Sequence, residues 1–134
     1  MRCIFCRIVS GEVPARKVSE NDNAMSFLDA FPLTRGHLIV IPKKHHERLQ
    51  DMTSSEVSDV FGLATKLVSR TDALSGSTLL AVHNGPHAGQ EVPHVHIHLV
   101  PRYLGDGAGP IHSMFERTTL SEKDTIRVFE RLRD

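Results

Sequence analysis

Three histidines that alternate with aliphatic residues are the group in this sequence best suited to chemistry. The run from 94 to 100 reads His-Val-His-Ile-His-Leu-Val. Strict alternation with β-branched residues predicts a β-strand. Side chains two residues apart on a strand share a face. We therefore expect His94, His96 and His98 on one face and the aliphatic side chains on the other.

The spacing of the histidines limits what they can do together. A strand rises about 3.3 Å per residue, which places the outer two about 13 Å apart. Zinc–nitrogen bonds are about 2 Å, so the three cannot form one simple metal cage. The alternative is a histidine-rich surface strand without a functional role, but the interleaved aliphatic residues favour a half-buried strand.

The middle histidine is the best placed nucleophile of the three. A neutral imidazole can attack phosphorus, provided that an acceptor holds the proton of its other ring nitrogen. His96 has an imidazole on each side, and His98 could donate a hydrogen bond to a phosphoryl oxygen. The sequence thus predicts phosphorus chemistry at His96.

A glycine-rich loop at 84–90 leads directly into the histidines. Glycines let backbone amides approach an anion closely, and the Gln90 amide could donate to a phosphoryl oxygen. Alone, such a loop is usually only a turn. In front of three histidines on one face it predicts a phosphate site.

Composition narrows the class of protein. The chain has 134 residues, 40% of them hydrophobic, with sixteen basic and sixteen acidic side chains. That length suits one core, and the balanced charge does not favour a nucleic-acid partner. No apolar run reaches the roughly 18 residues of a membrane span and no signal peptide is evident, so we expect a cytoplasmic protein without a membrane partner. Cys3 and Cys6, two residues apart, indicate metal or redox chemistry rather than a structural disulfide.

The elements around these motifs predict one α+β domain over residues 1–134. A helical turn ends near Gly11, strands cover 15–20, 24–29, 37–42 and 78–83, and helices cover 54–73 and 122–133. Thr53 and Glu56 have the spacing of a capping box, and Ser121 caps the last helix. The predicted core contacts of the two helices are Val57, Val60, Phe61, Ala64, Leu67 and Val68 in the first, and Ile126, Phe129 and Leu132 in the second.

The chain resembles the histidine triad (HIT) family. The residues that carry the resemblance are the 94–100 signature, 4–8, the 36–45 strand and the 88–90 loop. The resemblance is to the nucleotide-binding branch with short prokaryotic members. It implies an antiparallel sheet of about five strands with two main helices, and a homodimer in which two sheets join.

The same resemblance implies a nucleotidyl hydrolase or transferase. Such enzymes act at the α-phosphate of purine nucleotides, typically adenosine phosphoramidates or dinucleoside polyphosphates, through a nucleotidyl-histidine. By position the catalytic residues are His96, His98 and His37. The nucleotide-binding residues are Ile4, Phe5, Ile8, Phe27, Leu28, Asp29, Ile39, Gly89, Gln90 and Glu91. Taken singly, the six apolar ones could be ordinary core, and Asp29 a strand-end residue.

Resemblance also implies a structural zinc ion held by Cys3, Cys6, His45 and His94. Two thiolates and two imidazoles suit tetrahedral zinc. Two unrelated buried thiols are the alternative.

Two positions depart from the family pattern. His83 stands where relatives often have Asn or Gln, and Glu91 where they often have Ser or Thr. A carboxylate beside a phosphate is unfavourable unless it points outward or is protonated. The departures motivate a second hypothesis, a nucleotide-binding or scaffold protein with little activity. A third is a zinc hydrolase in which His94 and His96 hold the metal.

Overall fold

Five antiparallel strands and three helices form the fold, which confirms the predicted α+β class. The computed structural model describes residues 3–134. The strands are β1 (Lys17–Glu20), β2 (Ala24–Leu28), β3 (Leu38–Pro42), β4 (Thr78–Ala81) and β5 (Ile97–Pro101), and the helices are α1 (Ile4–Val9), α2 (Ser54–Ser75) and α3 (Glu122–Leu132). Among these helices, none is both long enough and apolar enough to cross a membrane.

The sheet places the histidine strand near its centre. The strand order is β1-β2-β3-β5-β4. β2 and β3 pair over five residues, from Ala24 opposite Pro42 to Leu28 opposite Leu38. β5 pairs with β3 on one side and β4 on the other. The predicted meander of the first three strands is therefore confirmed, and β1 and β4 are the sheet edges.

Each face of the sheet carries its own hydrophobic cluster. On one face, α2 packs against buried residues that include Val95, Ile97 and Leu99. On the other, Phe5 of α1 packs against Phe27 and the second set of strand residues. Alternation along the histidine segment thus sends the aliphatic side chains to α2 and the imidazoles towards α1, as the period of two predicts.

The histidine strand is shorter than predicted and begins only at Ile97. His94 and His96 lie in the segment just before it. There the Val95 amide donates to the His46 carbonyl at 2.7 Å, outside the sheet ladder. β4 likewise ends at Ala81, so His83 lies beyond the strand.

The capping box at the start of α2 is confirmed, with both the Thr53 and the Glu56 side chains bonded as predicted. The apolar stripe is rotated from the predicted one. Val57 and Phe61 are more than a third exposed, whereas Leu63 is buried. The stripe that faces the sheet consists of Val60, Leu63, Ala64, Leu67 and Thr71. The spacing of apolar residues along α2 fits two adjacent faces of the helix. Packing against the sheet determines which of the two is buried.

The predicted contacts of α3 are wrong. Ser121 does cap the helix, accepting from the Asp124 amide at 3.1 Å. However, Ile126, Phe129 and Leu132 are 52%, 57% and 79% exposed. The Arg102–Asp106 ion pair closes a turn after β5. From residue 107 onward every residue is exposed, and α3 has no buried residue.

Candidate active site and metal centre

Four predicted metal ligands meet between α1 and the histidine segment. The ligand atoms of Cys3, Cys6, His45 and His94 all lie within 4.8 Å of one another. The His94 Nδ1 atom is 3.4 Å from the Cys3 sulfur and 3.6 Å from the Cys6 sulfur. The His45 Nδ1 atom is 3.2 Å from the same ring nitrogen. The fold therefore brings together four metal-ligating side chains that are far apart in the sequence.

The proton arrangement of His94 suits a metal ligand. Its Nε2 lies 2.8 Å from the Pro42 carbonyl oxygen. A carbonyl only accepts, so the imidazole proton is on Nε2 and the lone pair is on Nδ1, towards the sulfurs. A backbone acceptor behind a ligating histidine is the usual support of a metal site. The four residues fit a tetrahedral zinc ion by donor type, number and orientation.

His96 has the opposite arrangement, which leaves its outer nitrogen basic. Its Nδ1 lies 2.7 Å from the His94 carbonyl oxygen. Nδ1 therefore carries the proton and Nε2 carries the lone pair. The ring is 7% exposed and packs edge-on against Phe5, with ring centroids 5.1 Å apart. A buried imidazole held in one tautomer is the arrangement that a nucleophile requires.

A second chain of hydrogen bonds fixes His98. The Leu33 amide donates to His37 Nδ1 at 3.0 Å, so the His37 proton is on Nε2. His37 Nε2 then donates to His98 Nδ1 at 2.9 Å. The His98 proton is in consequence on Nε2, where it can donate to a ligand. His37 is buried behind His98, and Asp29 lies 3.6 Å from its Nε2.

Burial keeps these imidazoles neutral. It lowers the pKa of His96 and of His37 below the ordinary value. For His98, burial and then the neighbouring His96 and His37 lower the pKa to about 4. Desolvation penalises the charged imidazolium. At neutral pH, His96 is thus available as a base and His98 as a neutral donor.

A cavity of about 930 Å³ opens in front of His96 and His98. Nine of the ten residues predicted to bind nucleotide line it, and Gln90 is the exception. The apolar wall has the predicted members Ile4, Phe5, Ile8, Phe27, Leu28 and Ile39. Asp29 is at the edge of the wall and accepts from the Phe31 amide at 2.8 Å. The cavity is large enough for a nucleotide-sized ligand.

The glycine-rich loop is held by its own hydrogen bonds. The Gln90 carboxamide oxygen accepts from the Gly85 amide at 2.8 Å, and its nitrogen donates to the Glu47 and Val92 carbonyls. The Gly89 amide bonds to the Pro86 carbonyl at 3.0 Å. Gly89 has φ of 99°, which favours glycine. In this conformation the Gln90 carboxamide braces the loop, and its donation to a phosphoryl oxygen stays a prediction.

The comparisons with known proteins agree with this geometry. Residues 10–105 match the family model described as "HIT domain". An uncharacterised HIT-like protein of Methanocaldococcus jannaschii is 44% identical over 106 residues, which are 78% of this chain and 82% of that protein. The chain belongs to the HIT domain family.

Other members of the HIT domain family have informative names or structures. A Schizosaccharomyces pombe relative named adenosine 5'-monophosphoramidase is 35% identical over 76% of this chain and 75% of its own. A HIT family structure from Bacillus subtilis is 31% identical with a TM-score of 0.86, covering 98% and 95% of the two chains. A zinc-bound histidine triad protein from Mycobacterium smegmatis is 33% identical with a TM-score of 0.72, covering 98% and 92%.

Several lining residues of this HIT domain were not predicted from the sequence. They belong to connecting or extended segments whose pattern does not indicate a binding role: Val13, Pro14, Ala15, Arg16, Ala30, Phe31, Pro32 and Val92. The available signal is Phe31, a large aromatic residue in a connection, which proves to be 88% exposed. His83 also lines the cavity, where its departure from the family pattern had marked it.

Stability of the HIT domain is expected to fall in mild acid because His98 is neutral when folded. Its pKa is about 4 in the folded chain, against 6.5 as the ordinary value. As pH falls through that window, the unfolded chain takes up the proton first. The free energy of unfolding should drop by on the order of 2 kcal/mol between about pH 6.5 and pH 4, and be flat above it.

Urea unfolding of wild type and His98→Gln at each pH checks this, because the difference between them cancels loss of any metal. A difference that stays constant from pH 7 to pH 4 would contradict it.

Gln90→Ala is expected to destabilise the loop. The Gly85 amide would lose its acceptor, and an unsatisfied buried donor costs about 1–3 kcal/mol. The matched control is Gln50→Ala, because Gln50 makes a single bond to the same loop, from Asn84 at 3.0 Å. Urea unfolding should show a clear loss for Gln90→Ala and little for Gln50→Ala. Equal losses of unfolding free energy in the two variants would show that the hydrogen bonds of Gln90 stabilise the loop no more than the single bond of Gln50 does.

Proposed function

We propose that this HIT domain is a nucleotidyl hydrolase or transferase acting at the α-phosphate of adenosine nucleotide derivatives. The observation that carries the proposal is the His96 ring. Its Nδ1 proton is held by the His94 carbonyl at 2.7 Å, and the ring lines a nucleotide-sized cavity. The basic nitrogen is thereby directed to the ligand.

The reaction follows from the proton positions. The His96 Nε2 lone pair attacks the α-phosphorus, and the bond from phosphorus to the leaving group breaks. The bonding pair goes to the leaving group, which takes up a proton from solvent. Water then attacks phosphorus and releases one proton to solvent, the phosphorus–nitrogen bond breaks, and its electron pair returns to Nε2 as the nucleoside monophosphate departs. The His98 Nε2 proton stabilises a phosphoryl oxygen, and His37 positions His98.

Nucleotide recognition is assigned to the remaining walls of the cavity. The apolar wall around Phe5 and Phe27, whose ring centroids are 5.7 Å apart, suits a purine. The Asp29 carboxylate suits ribose hydroxyls. The name of the Schizosaccharomyces pombe relative, adenosine 5'-monophosphoramidase, supports an adenosine nucleotide. A histidine triad nucleotide-binding protein of Candida albicans, 29% identical with a TM-score of 0.82, supports a nucleotide ligand in general.

We also propose that Cys3, Cys6, His45 and His94 hold a structural zinc ion. The metal would supply a rigid cross-link between α1 and the histidine segment. Zinc-hydrolase chemistry through His94 and His96 is not supported, since His94 Nδ1 faces the cysteines and His96 is outside the cluster.

Mass spectrometry tests the activity directly. The protein is quenched in acid-free denaturant during turnover of a slow adenosine phosphoramidate, digested and sequenced. A nucleotide mass on the peptide that contains His96 is expected. Modification of another residue, or none under single-turnover conditions with product formed, would overturn the mechanism.

A nucleotide-binding protein with little activity is the second candidate, because Glu91 and His83, which depart from the pattern that the family resemblance implies, both line the cavity. Tight binding of AMP with a kcat near background on phosphoramidate and dinucleoside polyphosphate substrates would favour it.

We propose a homodimer as the working form. β4 is an edge strand with Leu80 45% exposed, and α3 shows its apolar side chains to solvent. A second copy that continues the sheet would cover the edge, whose backbone groups otherwise remain open. Light scattering should give twice the chain mass, and a monomer at micromolar concentration would contradict the proposal. The predicted cytoplasmic location stays a prediction.

A further inference from the structure

We propose that His83 and Glu91 form a leaving-group subsite that favours cationic amine leaving groups over anionic ones. The inference rests on the proposed nucleotidyl transfer and specifies its substrate class. It assigns a role to the two residues that depart from the family pattern.

Four rings in contact, from Phe5 through His96 and His98 to His83, show the order in which the parts of a substrate would lie along the cavity. Ring centroids are 5.1 Å apart from Phe5 to His96, 4.9 Å from His96 to His98, and 5.6 Å from His98 to His83. Phe5 belongs to the apolar wall that suits the purine. With the α-phosphate at His96 and His98, the third part of the substrate, the leaving group, lies at the His83 end.

The His83 ring is free to meet that group. Among residues 3–134, neither of its ring nitrogens has a hydrogen-bond partner, although the side chain is half-buried and lines the cavity. The loop packs against it at Gly89, where a Cβ would lie in ordinary van der Waals contact with the His83 ring, at 3.7 Å. A neutral imidazole offers one donor and one acceptor, which matches the N–H and lone pair of an amine.

Glu91 supplies negative charge at this end. It lines the cavity two residues beyond Gly89 and is exposed. In the described part of the chain no basic group lies within ion-pair distance of its carboxylate; the salt bridges found there involve other residues. An uncompensated carboxylate repels a polyphosphate leaving group and attracts an ammonium group.

Within the described part of the chain, Arg16 is the cationic residue that lines the cavity. It precedes β1, and its carbonyl accepts from the Leu28 amide at 3.1 Å. His83 follows β4, the opposite edge strand. The Arg48 guanidinium lies against Gly85 in the loop but does not line the cavity. Among residues 3–134, Glu91 is therefore the charged side chain that lines the cavity beside the glycine-rich loop.

Three adenosine phosphoramidates of matched length test the charge preference. Their leaving amines are 1,3-diaminopropane, propylamine and β-alanine, which carry a cationic, neutral or anionic tail on the same type of scissile phosphorus–nitrogen bond. The measured quantity is kcat/KM for wild type, Glu91→Gln and His83→Asn. The control is Glu116→Gln, an exposed carboxylate that does not line the cavity.

For Glu91→Gln, kcat/KM should fall about fivefold on the cationic substrate and rise about fivefold on the anionic one, the effect of one exposed charge pair. Each value is divided by that of the neutral substrate with the same variant, so that any general effect of the substitution on turnover cancels. High salt should shrink the wild-type preference, because exposed charges are screened. His83→Asn should lower kcat/KM for all three amines relative to the control.

Two failures are distinguishable. Turnover of all three substrates with the same wild-type to Glu91→Gln ratio would overturn the subsite and leave the proposed function standing. Absence of turnover of every substrate, with no nucleotide on His96, would overturn both.

Discussion

Replacement of His96 by alanine is expected to lower kcat by a factor on the order of 10⁴ or more, the usual result of removing a covalent nucleophile. The reason is positional, since neither neighbouring imidazole of the 94–98 segment can take its place. His98 Nδ1 accepts from His37, which leaves the proton on its cavity-facing Nε2, and His94 Nδ1 faces the cysteine sulfurs. Steady-state release of AMP from an adenosine phosphoramidate measures the loss.

Binding should survive the same substitution. Most of the predicted nucleotide contacts come from the apolar wall and Asp29, which His96→Ala leaves intact. The AMP dissociation constant from calorimetry is expected to change only severalfold. His112→Ala is the matched control, because His112 is exposed and lies outside the cavity. Turnover retained by His96→Ala would exclude His96 as the nucleophile.

Replacement of Cys6 by serine is expected to remove the bound metal and a large part of the stability. Structural zinc sites contribute folding energy directly, because the unfolded chain has no preformed site. Loss of about 3 kcal/mol or more corresponds to a fall in Tm of about 10 °C for a chain of this size. Elemental analysis of the purified protein and calorimetric unfolding measure the two effects.

A chelator separates metal loss from simple loss of a side chain. It should lower the Tm of wild type towards that of Cys6→Ser and leave the variant unchanged. Ser10→Ala serves as a control in the same segment, since within residues 3–134 the Ser10 hydroxyl bonds only to the Arg7 carbonyl. Wild-type protein that contains no metal after expression with zinc, or that is insensitive to the chelator, would contradict the structural site.

The metal site and the nucleophile are linked through His94. Its ring belongs to the metal cluster, and its carbonyl accepts the His96 proton. Phe5, between the two cysteines, packs against both rings. Chelation should therefore alter the imidazole NMR signals of His96 as well as Tm.

Much of the site was predictable because it depends on local periodicity. Alternation in the histidine segment determines which side chains share a face, whatever the strand pairs with. The C-x₂-C spacing indicated metal chemistry, and the family resemblance supplied the two histidine ligands. Capping by Thr53 and Ser121 involves residues three apart, so the sequence alone contains all the required information.

The sequence-based predictions were wrong where the burial of a residue depends on which distant element packs against it, or on whether any does. The core stripe of α2 depends on which side of the helix the sheet occupies, and Leu63 rather than Phe61 faces it. α3 has a clear apolar face, but nothing in residues 3–134 covers it. Spacing also did not show that three backbone groups around the loop bond to the Gln90 carboxamide.

The sequence by itself determined the residue types, the shared face and the α+β class. Only the tertiary structure decided which nitrogen of each imidazole is basic. That choice depends on the hydrogen-bond partner of the other ring nitrogen. For His94 the partner is the Pro42 carbonyl, and for His96 it is the His94 carbonyl. For His98 the partner is His37, which the Leu33 amide orients. Most of these partners come from other parts of the chain. The physical reason is that a ring nitrogen's role is set by its hydrogen-bond partner, which spacing alone does not specify.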